Sequence, residues 1–235
     1  SVHSRLNATL HEALRASRTR SEGVVDQITG TTPRFVEIGR VKTEVMRDLE
    51  PLLEAWSGVD LVPATAYGLR LYQDGNTLMM HTDRIETHVV SAIAHVDRDL
   101  DEPWPIVIEG YDGETVEVDL QPGQLLLYES AKCIHGRPRP MKGRWYTSLF
   151  IHYHPARWTI KTDDARQLVE PIFPHFEAPP HPRWHSLRLR GTGYYEPECP
   201  NNWCGLGARW PPDAESAGAD TGPTRDGDGD QDEEL

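Results

Sequence analysis

The 235-residue chain contains no apolar run near the roughly 20 residues needed to cross a bilayer; its longest mostly apolar stretches are of the size of Gln124-Leu125-Leu126-Leu127-Tyr128. A soluble protein with no membrane insertion is expected. Clusters of Lys and Arg are also missing. A nucleic-acid face needs them to neutralise phosphates, so no nucleic-acid partner is expected. Cysteine is scarce, with three residues in all, too few for a disulfide-built scaffold of this length. Cys199 and Cys204 are close enough in sequence to bridge across a Pro-Asn-Asn-Trp loop, and Cys133 stands apart. No internal repeat is visible.

What is abundant is acid, and it is unevenly placed. The formal charge is −13 at a mean hydropathy of −0.58. From Pro212 to Leu235 nine acidic residues face one Arg, a net of −8 that leaves only −5 on the first 211 residues. That tail has no aromatic and cannot bury enough apolar surface to offset chain ordering, so residues 212–235 read as a disordered acidic tail. Three features together favour the secretory pathway and endoplasmic reticulum lumen over the cytoplasm: the paired-cysteine spacing, the sequon Asn7-Ala8-Thr9, and the retention-like ending Asp232-Glu233-Glu234-Leu235. The first residue is Ser1 and not Met, so the lack of a visible targeting segment carries no information.

Hydrophobic periodicity divides the rest. Leu6, Leu10 and Leu14 recur at helical spacing, and Val41, Val45, Leu49, Leu52, Leu53 and Trp56 mark a second helical stripe, interrupted by Pro51, which should kink it or begin a new helix. From residue 64 short β-branched and aromatic runs take over: 66–72, 87–96, 105–109, 114–120, 124–128 and 144–153. Turn signals such as Asp74-Gly75-Asn76, Asp112-Gly113 and Pro122-Gly123 separate them. The expected fold class is mainly β with flanking helices, an antiparallel sandwich or barrel. Residues 1–60 would buttress it, 61–160 would form the core, and 161–211 would be an extension whose Trp184, Tyr194, Tyr195 and Trp203 either cover the barrel mouth or pack outside it.

The chemistry concentrates at Met79-Met80-His81-Thr82-Asp83. On an extended strand residues i and i+2 point the same way, so His81 and Asp83 can converge on one ion. His135, at the end of a second apolar run, offers a third ligand. Two imidazoles and a carboxylate leave open positions on a six-coordinate metal, the arrangement of non-haem Fe(II) oxygenases. Arg144 lies nine residues beyond His135. Its planar, permanently charged fork is suited to hold the far carboxylate of an anionic cosubstrate. His152 and His154 share a strand face and, like His88, read as structural histidines.

Taken together, LRLYQDGNTLMMHTD, PGQLLLYESAKCIHGRP and GRWYTSLFIHY resemble the core of the Fe(II)- and 2-oxoglutarate-dependent dioxygenases, and within them the prolyl 4-hydroxylase branch. The resemblance implies a double-stranded β-helix of the jelly-roll, cupin-like type. It implies that His81, Asp83 and His135 bind Fe(II), that Arg144 anchors 2-oxoglutarate, and that Ser148 and Tyr72 support it. Dioxygen would be the second cosubstrate and ascorbate an accessory. Two positions depart from the branch. Trp145 stands where many members carry an anchoring Lys, and Leu78 stands where an aromatic is frequent. The implied reaction is hydroxylation of an unactivated C–H bond, with peptidyl proline as substrate. The alternatives are a 2-oxoglutarate-dependent hydroxylase of a free amino acid or small metabolite, a non-catalytic or zinc-dependent cupin-like barrel, and an interaction module working through the acidic tail. The partner is accordingly a peptide or small-molecule substrate.

Overall fold

A computed structural model describes residues 1–159 except 24, 26, 110–114 and 132. The predicted extension 161–211 with its four aromatics, the Cys199–Cys204 pair, the acidic tail and the turn at Asp112-Gly113 lie outside the described residues.

Helix α1 (Val2–Arg15) begins at Ser1, whose hydroxyl accepts the Ser4 amide N–H, and it buries Leu6, Leu10 and Ala13. Strands β1 (Arg20–Ser21), β2 (Ile28–Thr29) and β3 (Arg34–Val36) follow, so the first 60 residues supply short edge strands as well as helices. Helix α2 (Arg40–Ser57) runs through Pro51 unbroken and ends at Gly58 in the left-handed conformation, φ 75°. Pro51 is exposed, so the backbone acceptor left by its missing N–H faces water.

The remaining strands are β4 (Leu61–Ala66), β5 (Leu69–Tyr72), β6 (Thr77–His81), β7 (Val90–Leu100), β8 (Ile106–Glu109), β9 (Thr115–Val118), β10 (Leu125–Tyr128), β11 (His135–Arg137) and β12 (Gly143–Pro155). All pairings are antiparallel. The larger sheet has the order β1-β3-β5-β12-β7-β10 with β4 also on β12; the smaller has β2-β6-β11-β8-β9. Counting the eight strands β5 to β12 as one to eight, the orders are 1-8-3-6 and 2-7-4-5. That is a jelly roll, the double-stranded β-helix.

Alternation along the central strands assigns the two faces of the larger sheet. Ala92, Ala94 and Val96 of β7 and Leu149, Ile151 and Tyr153 of β12 pack with Leu10, Val45, Leu49 and Leu53 of the helices. The opposite side of the same strands carries Ser91, Ile93 and His95, and Tyr146, Ser148, Phe150 and His152. Ile93 and Phe150 there meet Ile106 of the smaller sheet. The helices therefore close one face and leave the other to build a cavity between the sheets.

Two glycines set the geometry at its base. Gly136 lies so close to β6 that a Cβ would stand 2.8 Å from the carbonyl oxygens of both Leu78 and Met79. Gly143 opens β12 at φ 138°, where a register shift follows before Trp145. Gly136→Ala should destabilise the fold by about 1–3 kcal/mol through this overpacking. Urea denaturation of the metal-free protein measures it, and a shift within error of zero would show that β11 does not press on β6.

Candidate metal centre

His81 is the last residue of β6, and Asp83 lies just past the strand, tied down by its amide N–H donating to the Ser130 carbonyl at 2.8 Å. His135 opens β11 and stands directly across from His81 in the β6–β11 register. Their rings approach to 4.4 Å between centroids. His81 Nε2 is 3.6 Å from Asp83 Oδ1, and His135 Nε2 is 3.9 Å from Asp83 Oδ2. All three ligand atoms lie within 4.8 Å of one another. The strand rule thus places His81 correctly, whereas Asp83 reaches the same point from a loop.

The protonation pattern suits a cation. His81 Nδ1 donates to the Met79 carbonyl at 2.7 Å and His135 Nδ1 to the Cys133 carbonyl at 2.9 Å, which fixes both rings with Nε2 as the nitrogen turned towards Asp83. Burial, reinforced by His81, lowers the His135 imidazole to about 4, against a smaller opposing effect of Asp83. It is neutral at physiological pH, the form that ligates metals. Burial disfavours the Asp83 carboxylate, yet contact with His81 and the neighbouring imidazoles outweighs this and holds the carboxyl well below the usual range. Two imidazoles with Nε2 turned to one point and one ionised carboxylate fit a divalent six-coordinate ion with open positions.

The cavity beside the triad has a volume of about 280 Å³. Its walls include Tyr72, Tyr128, Ile93, Phe150, His152 and three arginines, Arg70, Arg84 and Arg137. Arg70 is neutralised, donating from Nε and Nη2 to both carboxylate oxygens of Glu22 at 2.6 Å. Arg137 is not. It is 2% exposed, packs against the mutually edge-on rings of Trp104 and Tyr146 at 4.7 and 4.4 Å, and donates to the Trp104 carbonyl and the Tyr146 hydroxyl. Among the described residues no carboxylate pairs with it.

The anchor expected from the sequence is elsewhere. Arg144 is 81% exposed, forms an ion pair with Asp99, and is absent from the cavity wall. It lies at the start of β12, within the register shift between Gly143 and Trp145. Tyr72 does line the cavity, fully buried, with its hydroxyl 3.4 Å from Arg70 Nη1. Ser148 is buried against His95, its Oγ 3.3 Å from Nδ1, outside the cavity wall. Arg137 was not singled out in the sequence, and His152, read there as structural, lines the same cavity. Arg137 is two residues beyond His135, and the i, i+2 rule that linked His81 to Asp83 would have found it.

No family model matches this sequence, and no curated protein matches it. Solved structures do resemble the chain. One is a Pseudomonas putida prolyl-4-hydroxylase, 18% identical over 65% of this chain and 87% of the other, with a TM-score of 0.48. Another is HygX from Streptomyces hygroscopicus with nickel, 2-oxoglutarate and hygromycin B bound: 13% identity, 76% and 88% coverage, TM-score 0.49. A third is a Trichoplax adhaerens prolyl hydroxylase in complex with a hypoxia inducible factor peptide fragment: 11% identity, 65% and 78% coverage, TM-score 0.47.

Deep in the same barrel, burial and then Arg137 lower the His95 imidazole to about 4, below the ordinary 6.5. Between those pH values the unfolded chain binds a proton that the folded chain refuses. Stability is therefore lost as pH falls from 6.5 towards 4, by up to about 1.4 kcal/mol per pH unit. His95→Gln should remove this share, giving a shallower stability–pH slope in urea titrations at pH 4.5, 5.5 and 6.5. Equal slopes would mean that His95 is not held neutral.

Proposed function

We propose that this protein is an Fe(II)- and 2-oxoglutarate-dependent dioxygenase that hydroxylates an unactivated C–H bond. The observation that carries the reading is the buried, carboxylate-free Arg137 in the same cavity as the His81–Asp83–His135 triad. A buried cation without an anionic partner costs several kcal/mol, an expense that a bound dianion offsets. A zinc hydrolase or a storage barrel has no use for it.

In this reading His81, Asp83 and His135 hold Fe(II). The iron, when bound, supplies the activation of dioxygen coupled to oxidation of 2-oxoglutarate to succinate and carbon dioxide. Arg137 receives the distal carboxylate, its guanidinium held by the adjacent rings of Trp104 and Tyr146 and by its hydrogen bonds to the Trp104 carbonyl and the Tyr146 hydroxyl. Tyr72 stands by as a hydroxyl donor in the wall, and Tyr128 packs edge-on against His135 at 4.8 Å, fixing that ring. Ile93, Ile106 and Phe150 keep water from the deep end. The charges balance: a divalent metal with Asp83 and Arg137 sums to +2, which 2-oxoglutarate cancels. The substrate enters from the side of Tyr67, Arg84 and His88. The motifs point to a peptidyl side chain, proline foremost, with a free amino acid or small metabolite as the second class.

Aerobic incubation with Fe(II) and 2-oxoglutarate should yield succinate, strengthened by proline-rich peptides or free amino acids, and should fail in His81→Ala and Asp83→Ala. Arg137→Ala should raise the 2-oxoglutarate KM by about 10–100-fold, the loss of a charge-assisted pair, whereas Arg144→Ala should leave it near wild type. The reverse pattern would return the anchor role to Arg144.

A further inference from the structure

His152 is a fourth histidine at the centre, on β12 and 4% exposed. Its Nδ1 is 3.7 Å from Asp83 Oδ2 and 2.6 Å from Ser91 Oγ. Ser91 Oγ in turn meets Ser130 Oγ, and the Ser130 hydroxyl donates to the His88 carbonyl at 2.8 Å. These three hydroxyl and imidazole contacts form one chain, and its far end fixes the direction of every proton. The His88 carbonyl only accepts, so the Ser130 proton is used there. Ser91 must then donate to Ser130 and has no proton left for His152. The His152 Nδ1 therefore carries hydrogen and donates to Ser91. The nearby Asp83 carboxylate favours the same arrangement, because a lone pair on Nδ1 would face its negative charge.

With Nδ1 protonated, Nε2 of a neutral imidazole is a bare lone pair. His152 lines the cavity, and among the described residues nothing donates to that nitrogen. Its ring is held in place by His88 at 4.0 Å and Tyr67 at 5.8 Å between centroids.

We infer that His152 is a substrate-specificity residue, locked by Ser91 and Ser130 as the Nδ1–H tautomer so that Nε2 accepts a hydrogen bond from an N–H or O–H group of the substrate beside the metal. The inference rests on the oxygenase reading for the word substrate, not for the tautomer. It narrows the substrate class to molecules with a donor next to the oxidised carbon. A free amino acid offers its amine or a side-chain hydroxyl directly. A peptidyl proline has no ring N–H and reaches His152 only through the amide of the following residue.

The tautomer is read by imidazole ¹⁵N–¹H correlation spectra of the metal-free full chain, independently of any turnover. The expected spectrum shows a protonated Nδ1 and a bare Nε2 for His152, with Ser91→Ala increasing the opposite tautomer. A protonated Nε2 in the wild type overturns the inference. The substrate role is read with the compound that stimulates succinate formation in a panel of free amino acids and proline-rich peptides. His152→Phe should raise the KM for that compound about tenfold, the worth of one neutral hydrogen bond, and His152→Gln, which keeps an acceptor oxygen, should recover part of it. Methylation that removes every N–H or O–H of the compound's donor group should raise the wild-type KM by the same factor and change nothing further in His152→Phe. Equal KM values for the methylated and unmethylated compounds in the wild type would overturn the role. A wild type that makes no succinate with any member of the panel overturns the oxygenase reading, and the substrate role with it, while the spectra still decide the tautomer.

Discussion

Strand β11 lies against β6 at a distance only glycine permits, since any Cβ on residue 136 would collide with two carbonyl oxygens of the neighbouring strand. This close approach sets His135 across from His81, and it carries Arg137 into the cavity two residues later. Three elements remote in sequence thereby meet at one point: the end of β6, the loop bearing Asp83, and β11. The helices take part indirectly, by covering the outer face of the larger sheet so that β7 and β12 can spend their inner face on polar groups. Ser91, His95 and His152 are buried there, and each would be costly without the partners or ligands the cavity arranges.

Charge in this protein is distributed against its total. The chain is strongly acidic, yet the cavity wall holds three arginines, one of them neutralised by Glu22 and one buried without a carboxylate partner among the described residues. The imidazoles of His81, His135 and His152 surround the single ionised carboxylate of Asp83. Such an arrangement sets an ionised carboxylate and a buried guanidinium in the wall of one cavity, as the proposed cation and anion sites require. The whole-chain charge reflects mainly residues 212–235 and says little about this chemistry.

Much of this was legible in the sequence. The change from helical to strand periodicity near residue 64 located the barrel, and the spacing of His81, Asp83 and His135 located the triad. The helical stripes of α1 and α2 were readable because their apolar faces pack on one continuous sheet. The failures have physical causes. Strands β1, β2, β3 and β11 are two or three residues long, too short for alternation to register. Pro51 looked like a helix break, but an exposed proline leaves its unsatisfied carbonyl to water. Arg144 matched the expected spacing, but spacing cannot show that its side chain lies in solvent, where Asp99 takes the guanidinium. Arg137 carried the right chemistry in plain view, hidden among Pro138, Arg139 and Pro140 in a segment that reads as a turn. His152 reads as structural in the sequence because its contact with Ser91, and through it with Ser130, exists only in the fold.

The most direct test is the structure of the chain crystallised with a redox-inert divalent metal and 2-oxoglutarate. The ion should sit among His81 Nε2, Asp83 and His135 Nε2, with the distal carboxylate of 2-oxoglutarate on the guanidinium of Arg137. A metal bound elsewhere, or a carboxylate held by Arg144 or Arg70 with Arg137 left unpaired, would contradict the account.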